Sequence, residues 1–189
     1  GLADFPMLSA NIINHLEGDL TFAAHKIFDM PNGMKVGVFG LTTPETMTKA
    51  HPDKVRGIDF LQGEALYEVA RKQVEELKAA GADIVVLLSH LGMDEESAPN
   101  RSQDVLENAT GIDLVIDGHS HTLLEKGKKV GDTLVVSTGY NGQNLGVVVY
   151  DGEKFTASLF AGLGKSAVVE VEGVPYSALL SAKLDPEVA

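Results

Sequence analysis

The sequence predicts an α/β fold built on a mainly parallel sheet, and three observations predict it. Two short apolar runs, Asp83-Ile84-Val85-Val86-Leu87-Leu88 and Ile112-Asp113-Leu114-Val115-Ile116-Asp117, read as strands buried on both faces, the kind that parallel sheets contain. Helix-spaced apolar series stand before the first run and between the two. Beyond residue 133 the pattern changes to antiparallel hairpin strands.

In chain order, Phe5-Pro6-Met7-Leu8-Ser9-Ala10-Asn11-Ile12-Ile13 reads as a short strand in which Ser9 and Asn11 alternate with apolar neighbours. Turn chemistry over 29–33 precedes a strand over 34–41, whose Gly37 and Gly40 predict close backbone packing, and 42–45 is a loop. Over 63–80, Leu66, Val69, Ala70, Val74 and Leu77 fall at helical spacing, with Gly81 placed as the residue just past the helix end. The strand 83–88 follows at once. A weaker helix over 102–109 shows Val105, Leu106 and Ala109 on one face, and Gly111 precedes the strand 112–117. This is βαβ grammar, for which right-handed crossovers are the rule. Strands over 133–137, 145–150, 154–159 and 168–171 follow, with Asp151-Gly152 as a hairpin turn. The last fifteen residues are weakly patterned.

Composition narrows the partners. The 189 residues suit one domain with a sizeable core. With 27 acidic against 15 basic residues the net charge is −12, which disfavours a nucleic-acid backbone or an anionic membrane as partner. Lys126, Lys128 and Lys129 form the one basic cluster and are too few to change that. No cysteine is present, so disulfides and Cys-based zinc sites are excluded. No apolar run approaches the ~20 residues of a membrane-spanning helix. Gly162-Leu163-Gly164-Lys165-Ser166 imitates the end of a phosphate-binding loop, but its required first glycine falls at Leu159, and a strand is expected after it where that motif needs a helix.

The chemistry concentrates at the ends of the two apolar runs. One delivers Ser89-His90-Leu91-Gly92 and the other Gly118-His119-Ser120-His121-Thr122. In open α/β sheets ligands bind outside the carboxyl ends of the strands. Histidine is the commonest transition-metal ligand, and Gly118 lets the chain turn sharply enough to aim both following imidazoles outward. A lone histidine at a strand end is more often solvated or hydrogen-bonded than a ligand. Three on two matched strand ends, His90, His119 and His121, reverse that expectation and predict a metal site.

With these residues in view, the chain resembles the calcineurin-like metallophosphoesterases, in particular the 5′-nucleotidase / 2′,3′-cyclic phosphodiesterase family. The resemblance rests on Pro6-Met7-Leu8-Ser9-Ala10-Asn11-Ile12, Val36-Gly37-Val38-Phe39-Gly40-Leu41-Thr42-Thr43-Pro44-Glu45, the Ser89-His90 strand end and Gly118-His119-Ser120-His121-Thr122, in that order over most of residues 5–150. It implies part of a four-layer αββα sandwich and a pair of divalent metal ions, zinc, manganese or similar. His90 and His119 would hold one ion and His121 the other, with Asn11, Asn141 and Gly142 on the substrate side.

The family's first half carries an Asp-x-His strand end, a bridging Asp and a Gly-Asn-His-Glu loop, which have no counterpart here. The expectation is therefore the C-terminal half of a catalytic domain over 1–160, with a peripheral strand and tail over 161–189. Such a chain would hold at most one metal ion, weakly, and would not hydrolyse nucleotides or phosphate esters alone. The inner face of its sheet would lie bare and drive self-association. The resemblance also implies an extracellular, periplasmic or cell-wall location. The competing expectation is a non-catalytic α/β interaction module with vestigial histidines.

Overall fold

The structure, a computed structural model, describes residues 4–161, together with the backbone of residues 170–171 and 174–175. Its centre is a six-stranded sheet. In chain order the chain forms β1 (Ile12–Asn14), β2 (His25–Asp29), β3 (Lys35–Thr42), α1 (Thr46–Lys49), β4 (Ile58–Phe60), α2 (Glu64–Ala79), β5 (Ile84–His90), α3 (Ser102–Asn108) and β6 (Leu114–Ile116). It continues through β7 (Lys128–Val130), β8 (Thr133–Val136), β9 (Asn144–Tyr150), β10 (Phe155–Ala161), β11 (Glu170–Val171) and β12 (Val174–Pro175). The central order is β2-β3-β5-β6-β8-β7. Strands β3, β5, β6 and β8 run parallel, and β2 and β7 close the edges antiparallel.

The parallel core follows from the two apolar runs. Strand β5 lies between β3 and β6, and five of its seven residues are buried. On one face Phe39, Leu41, Val85, Leu87, Val115 and Val135 pack against Leu66, Ala70, Val74 and Leu77 of α2 and Val105 and Leu106 of α3. Each such large side chain contributes about 1.5–3 kcal/mol by leaving water. Gly37 lets α2 approach, since a Cβ there would stand 2.9 Å from Leu77 Cδ2. Helix α2 ends as the sequence predicts: Gly81, at φ 88°, donates to Lys78 O and Ala82 donates to Leu77 O, a Schellman closure.

The opposite face corrects one expectation. It is not bare: Val148, Tyr150, Phe155 and Ala157 of the β9–β10 hairpin pack on Ile84, Val86, Leu114, Leu134 and Val136. The Asp151 carboxylate shapes the hairpin turn by accepting from the Glu153 and Lys154 amides, both at 2.9 Å. Helices, central sheet and a two-stranded second sheet thus form three layers among the described residues. Leu88 and Ile116, near the carboxyl end of the sheet, remain 41% and 44% exposed.

Two further readings change. Residues 5–11 are not a strand; apart from an isolated parallel bridge of Leu8 with Ala23, the segment crosses the end of β3, with Ser9 donating to Ala23 O and Ala10 to Gly40 O, and ladder pairing starts at β1, against β4. Gly40 is what permits this crossing, because a Cβ there would lie 2.1 Å from Leu8 O. Strand β8 does make a hairpin with β7, but its other edge pairs parallel with β6, so it belongs to the central sheet. Only 170–171 of the strand expected over 168–171 are described, and the phosphate-loop imitation at 162–166 lies outside the described residues. Most of the 161–189 tail lies outside them too.

Candidate metal centre

Strands β5 and β6 are parallel neighbours with Leu88 opposite Ile116, so their carboxyl ends open side by side. His90 is the last residue of β5, and His119 follows β6 after Asp117 and Gly118. Their ring centroids stand 5.1 Å apart in an edge-to-face arrangement at 61°. Gly118 sits against this pair, and a Cβ on it would come 3.2 Å from His90 Nδ1.

The loop that follows is strained. His119 and His121 adopt φ values of 79° and 57°, a left-handed region that costs a non-glycine residue roughly 1–3 kcal/mol. Neighbouring contacts hold the strain in place. Ser120 Oγ accepts from the Met93 amide at 3.0 Å and pairs with Thr122 Oγ1 at 2.8 Å. Thr122 O accepts from Ser137 Oγ at 2.6 Å and from the Gly139 amide at 3.1 Å. His121 stacks on Tyr140 with centroids 5.3 Å apart. Asn141, at φ 57°, and Gly142, at φ 62°, follow Tyr140 on the same exposed loop.

A buried polar chain lies beneath the histidines. Ser89 Oγ lies 2.6 Å from Ser102 Oγ, which donates to Asp117 Oδ1 at 2.8 Å, and the Gly92 amide also reaches that oxygen at 3.3 Å. Asp117 Oδ2 is buried with no partner among the described residues. Burial, and then the neighbouring His119, lower the pKa of His90, which favours the neutral imidazole that can ligate a metal. Asp117 opposes them and does not prevail.

Glu45 is the site residue that sequence reasoning missed as a functional group. Its Oε2 lies 3.1 Å from His119 Nε2 and also pairs with Lys49. Lys49 first, then Ser97 and His119, hold the Glu45 carboxyl down at about 2 against the effect of burial. A separation of 74 positions between Glu45 and His119 leaves no spacing signal; only the neighbouring carboxyl ends of β3, β5 and β6 bring them together.

The expected residues are therefore distributed unequally. His90 and His119 meet, His121 points to Tyr140 beside them, and Asn141 and Gly142 lie on the loop that Tyr140 begins. Among the described residues no three His, Asp or Glu side chains converge tightly enough to hold an ion unaided. Asn11 is held within the fold rather than presented at its surface. It is fully buried, with Nδ2 donating to Thr42 O at 2.7 Å and Leu61 O at 3.3 Å and Oδ1 accepting from the Thr42 amide at 2.9 Å.

Comparison with known proteins agrees with this geometry. Residues 19–140 match the family described as bacterial capsule synthesis protein PGA_cap. The 5′-nucleotidase of Vibrio cholerae is 34% identical over 145 residues, which is 69% of this chain and 26% of that protein. The 2′,3′-cyclic-nucleotide 2′-phosphodiesterase/3′-nucleotidase of Salmonella typhimurium is 30% identical over 141 residues, covering 69% of this chain and 21% of that one. The chain thus spans about a quarter of the length of these relatives. Among solved structures, the sulfate thiohydrolase SoxB of Thermus thermophilus superposes with a TM-score of 0.75 at 29% identity, over 98% of this chain and 33% of that one. The calcineurin-like phosphoesterase YfkN of Bacillus subtilis gives a TM-score of 0.69 at 24% identity, over 96% and 63% of the two chains, and shares the fold. Sequence match, sheet topology and the histidine-bearing strand ends agree: the chain belongs to the PGA_cap family and to the metallophosphoesterases related to 5′-nucleotidases and 2′,3′-cyclic-nucleotide phosphodiesterases.

Proposed function

We propose that this chain carries the histidine side of a divalent-metal phosphoesterase site that acts on nucleotides or related phosphate esters. The observation that carries the reading is the 5.1 Å approach of the His90 and His119 rings from adjacent parallel strands. The donor set fits zinc, manganese or a similar ion, because both groups are imidazoles and His90 is biased toward its neutral form. On this reading His90 and His119 hold one ion, His121 faces a second, and Asn141 and Gly142 border the approach of the substrate.

When bound, such an ion supplies Lewis acidity and a water acidic enough to give hydroxide near neutral pH. The chain's own part is to present and orient. Gly118 leaves room for His90, the Ser120 and Thr122 contacts fix the loop, and Tyr140 backs the His121 ring. A two-metal site also needs a bridging oxygen ligand, and the histidines provide none. The isolated chain is therefore read as holding at most one ion, weakly, with water or an anion completing it, and as inactive alone.

Calorimetry with zinc and manganese, beside an assay on a generic phosphate ester, tests this. One weak site that His119→Ala abolishes, without turnover, is expected. Two tight sites, or turnover that His119→Ala removes, would overturn it. A second reading, a non-catalytic interaction module, draws support from the lack of a three-group cluster among the described residues. It requires that neither metal bind measurably.

Two finer points belong to the same proposal. The apolar Leu88 and Ile116, exposed at the edge of the hairpin-covered face, support self-association of the chain. Sedimentation velocity at micromolar concentration decides it: a single species near 20.0 kDa would count against it. Resemblance to secreted and periplasmic phosphoesterases supports an extracellular, periplasmic or cell-wall location. No helix among the described residues is long and apolar enough to cross a membrane.

A further inference from the structure

We propose that Glu45 is a positioning residue for His119: its carboxylate accepts the Nε2 proton of that imidazole, fixing the ring and leaving the lone pair on Nδ1. The proposal rests on the metal-site reading only for which nitrogen would ligate; the pairing itself stands on geometry.

Glu45 Oε2 and His119 Nε2 are 3.1 Å apart, with side chains 19% and 17% exposed, so little water competes for either. The same oxygen pairs with Lys49, which keeps it a carboxylate and hence an acceptor only. A hydrogen bond between a carboxylate and a neutral imidazole requires the proton on the imidazole nitrogen that faces it, here Nε2. The other nitrogen is then the only one able to ligate.

Glu45 is not a wandering surface charge. The Thr43 amide donates to His90 O at 2.9 Å, and Thr43 Oγ1 accepts from the Glu45 amide at 3.2 Å. Thr43 is itself buried. The loop after β3 is therefore tied to the end of β5, and His90 and Glu45 share one frame. The other side of His119 is limited as well, since a Cβ on Gly92 would come 3.3 Å from His119 Cδ2. A left-handed backbone at His119 gives the ring an unusual trajectory, and Glu45 is the side-chain hydrogen-bond partner that meets its far nitrogen. Carboxylates that hold the second nitrogen of a ligating histidine commonly change metal affinity about 10–100-fold when removed.

The test uses the whole chain, labelled with ¹⁵N and free of metal, at a pH above neutrality. Long-range ¹H–¹⁵N correlation should show the His119 proton on Nε2, as a slowly exchanging, hydrogen-bonded signal. Glu45→Ala should lose that signal to exchange with water, and Glu45→Gln, which keeps an acceptor, should retain it. Zinc titrations should then show roughly 10–100-fold weaker binding for Glu45→Ala and a much smaller loss for Glu45→Gln. A proton on Nδ1 in the unaltered chain, or an Nε2 signal that survives in Glu45→Ala, would overturn the proposal even if one variant failed to fold. If zinc binds neither the unaltered chain nor His90→Ala while the Nε2 signal still depends on Glu45, the metal reading falls and the pairing is upheld.

Discussion

Gly118 and His90 are fitted to one another across two strand ends: a Cβ on the glycine would stand 3.2 Å from Nδ1 of the imidazole. The glycine in Gly-His-Ser-His thus serves the partner strand's histidine as well as the turn of its own loop.

Gly118→Ala should therefore move the His90 ring by a few tenths of an ångström at a stability loss of about 1 kcal/mol, at the low end for overpacking. The His90 ring resonances should shift while α2 amides stay in place. Unchanged His90 signals would show that the site has slack here.

Gly40→Ala should be far more damaging. Its Cβ would meet a backbone oxygen, Leu8 O, at 2.1 Å, and neither β3 nor the crossing segment can yield without breaking the Ala10-to-Gly40 hydrogen bond. Denaturant unfolding should register a loss of about 3 kcal/mol or more.

Asn11→Ala should cost about 3 kcal/mol, because Thr42 N, Thr42 O and Leu61 O lose a buried partner together. A loss below about 1 kcal/mol in the same measurement would mean that water replaces the amide.

Asp104 gives a pH signature. It accepts from the Arg101 amide and guanidinium at 2.7–2.9 Å at the start of α3. Burial raises its pKa, but the Arg101 hydrogen bonds and charge outweigh that and leave it lowered. A carboxyl lowered in the folded state stabilises above its unfolded value, about 3.9, and that contribution fades as pH falls through its folded value. Asp104→Ala should cost about 1–2 kcal/mol at pH 7. The gap to the unaltered chain should narrow below about pH 4, as followed by thermal unfolding across pH.

The legible parts of this fold are those whose signal is local. The apolar runs at 84–88 and 114–116, the apolar stripe of α2 and its Gly81 closure each depend on residues close in sequence. Placing His90 and His119 together needed only the rule that parallel strands end on one edge. Strand β2 escaped because an edge strand with Ile27 and Phe28 adjacent has no clean alternation, and β4 is three residues long. Strand β8 carried the right residues, but no periodicity says which neighbour a strand will choose. Asn11 looked like a site residue and is a fastener, because the backbone groups it joins lie 31 and 50 residues away. Glu45 and Asp117 were silent for the same reason: their partners come from other strand ends and helices.

That fastener has a consequence for how the molecule assembles. A side chain that bridges segments so far apart can close only after the loops between them are already drawn in, so its bonds reward a chain that is nearly home and do nothing for an early collapse. Losing Asn11 should then hasten unfolding while leaving the rate of folding almost untouched, which makes this amide a latch on the lifetime of the native state.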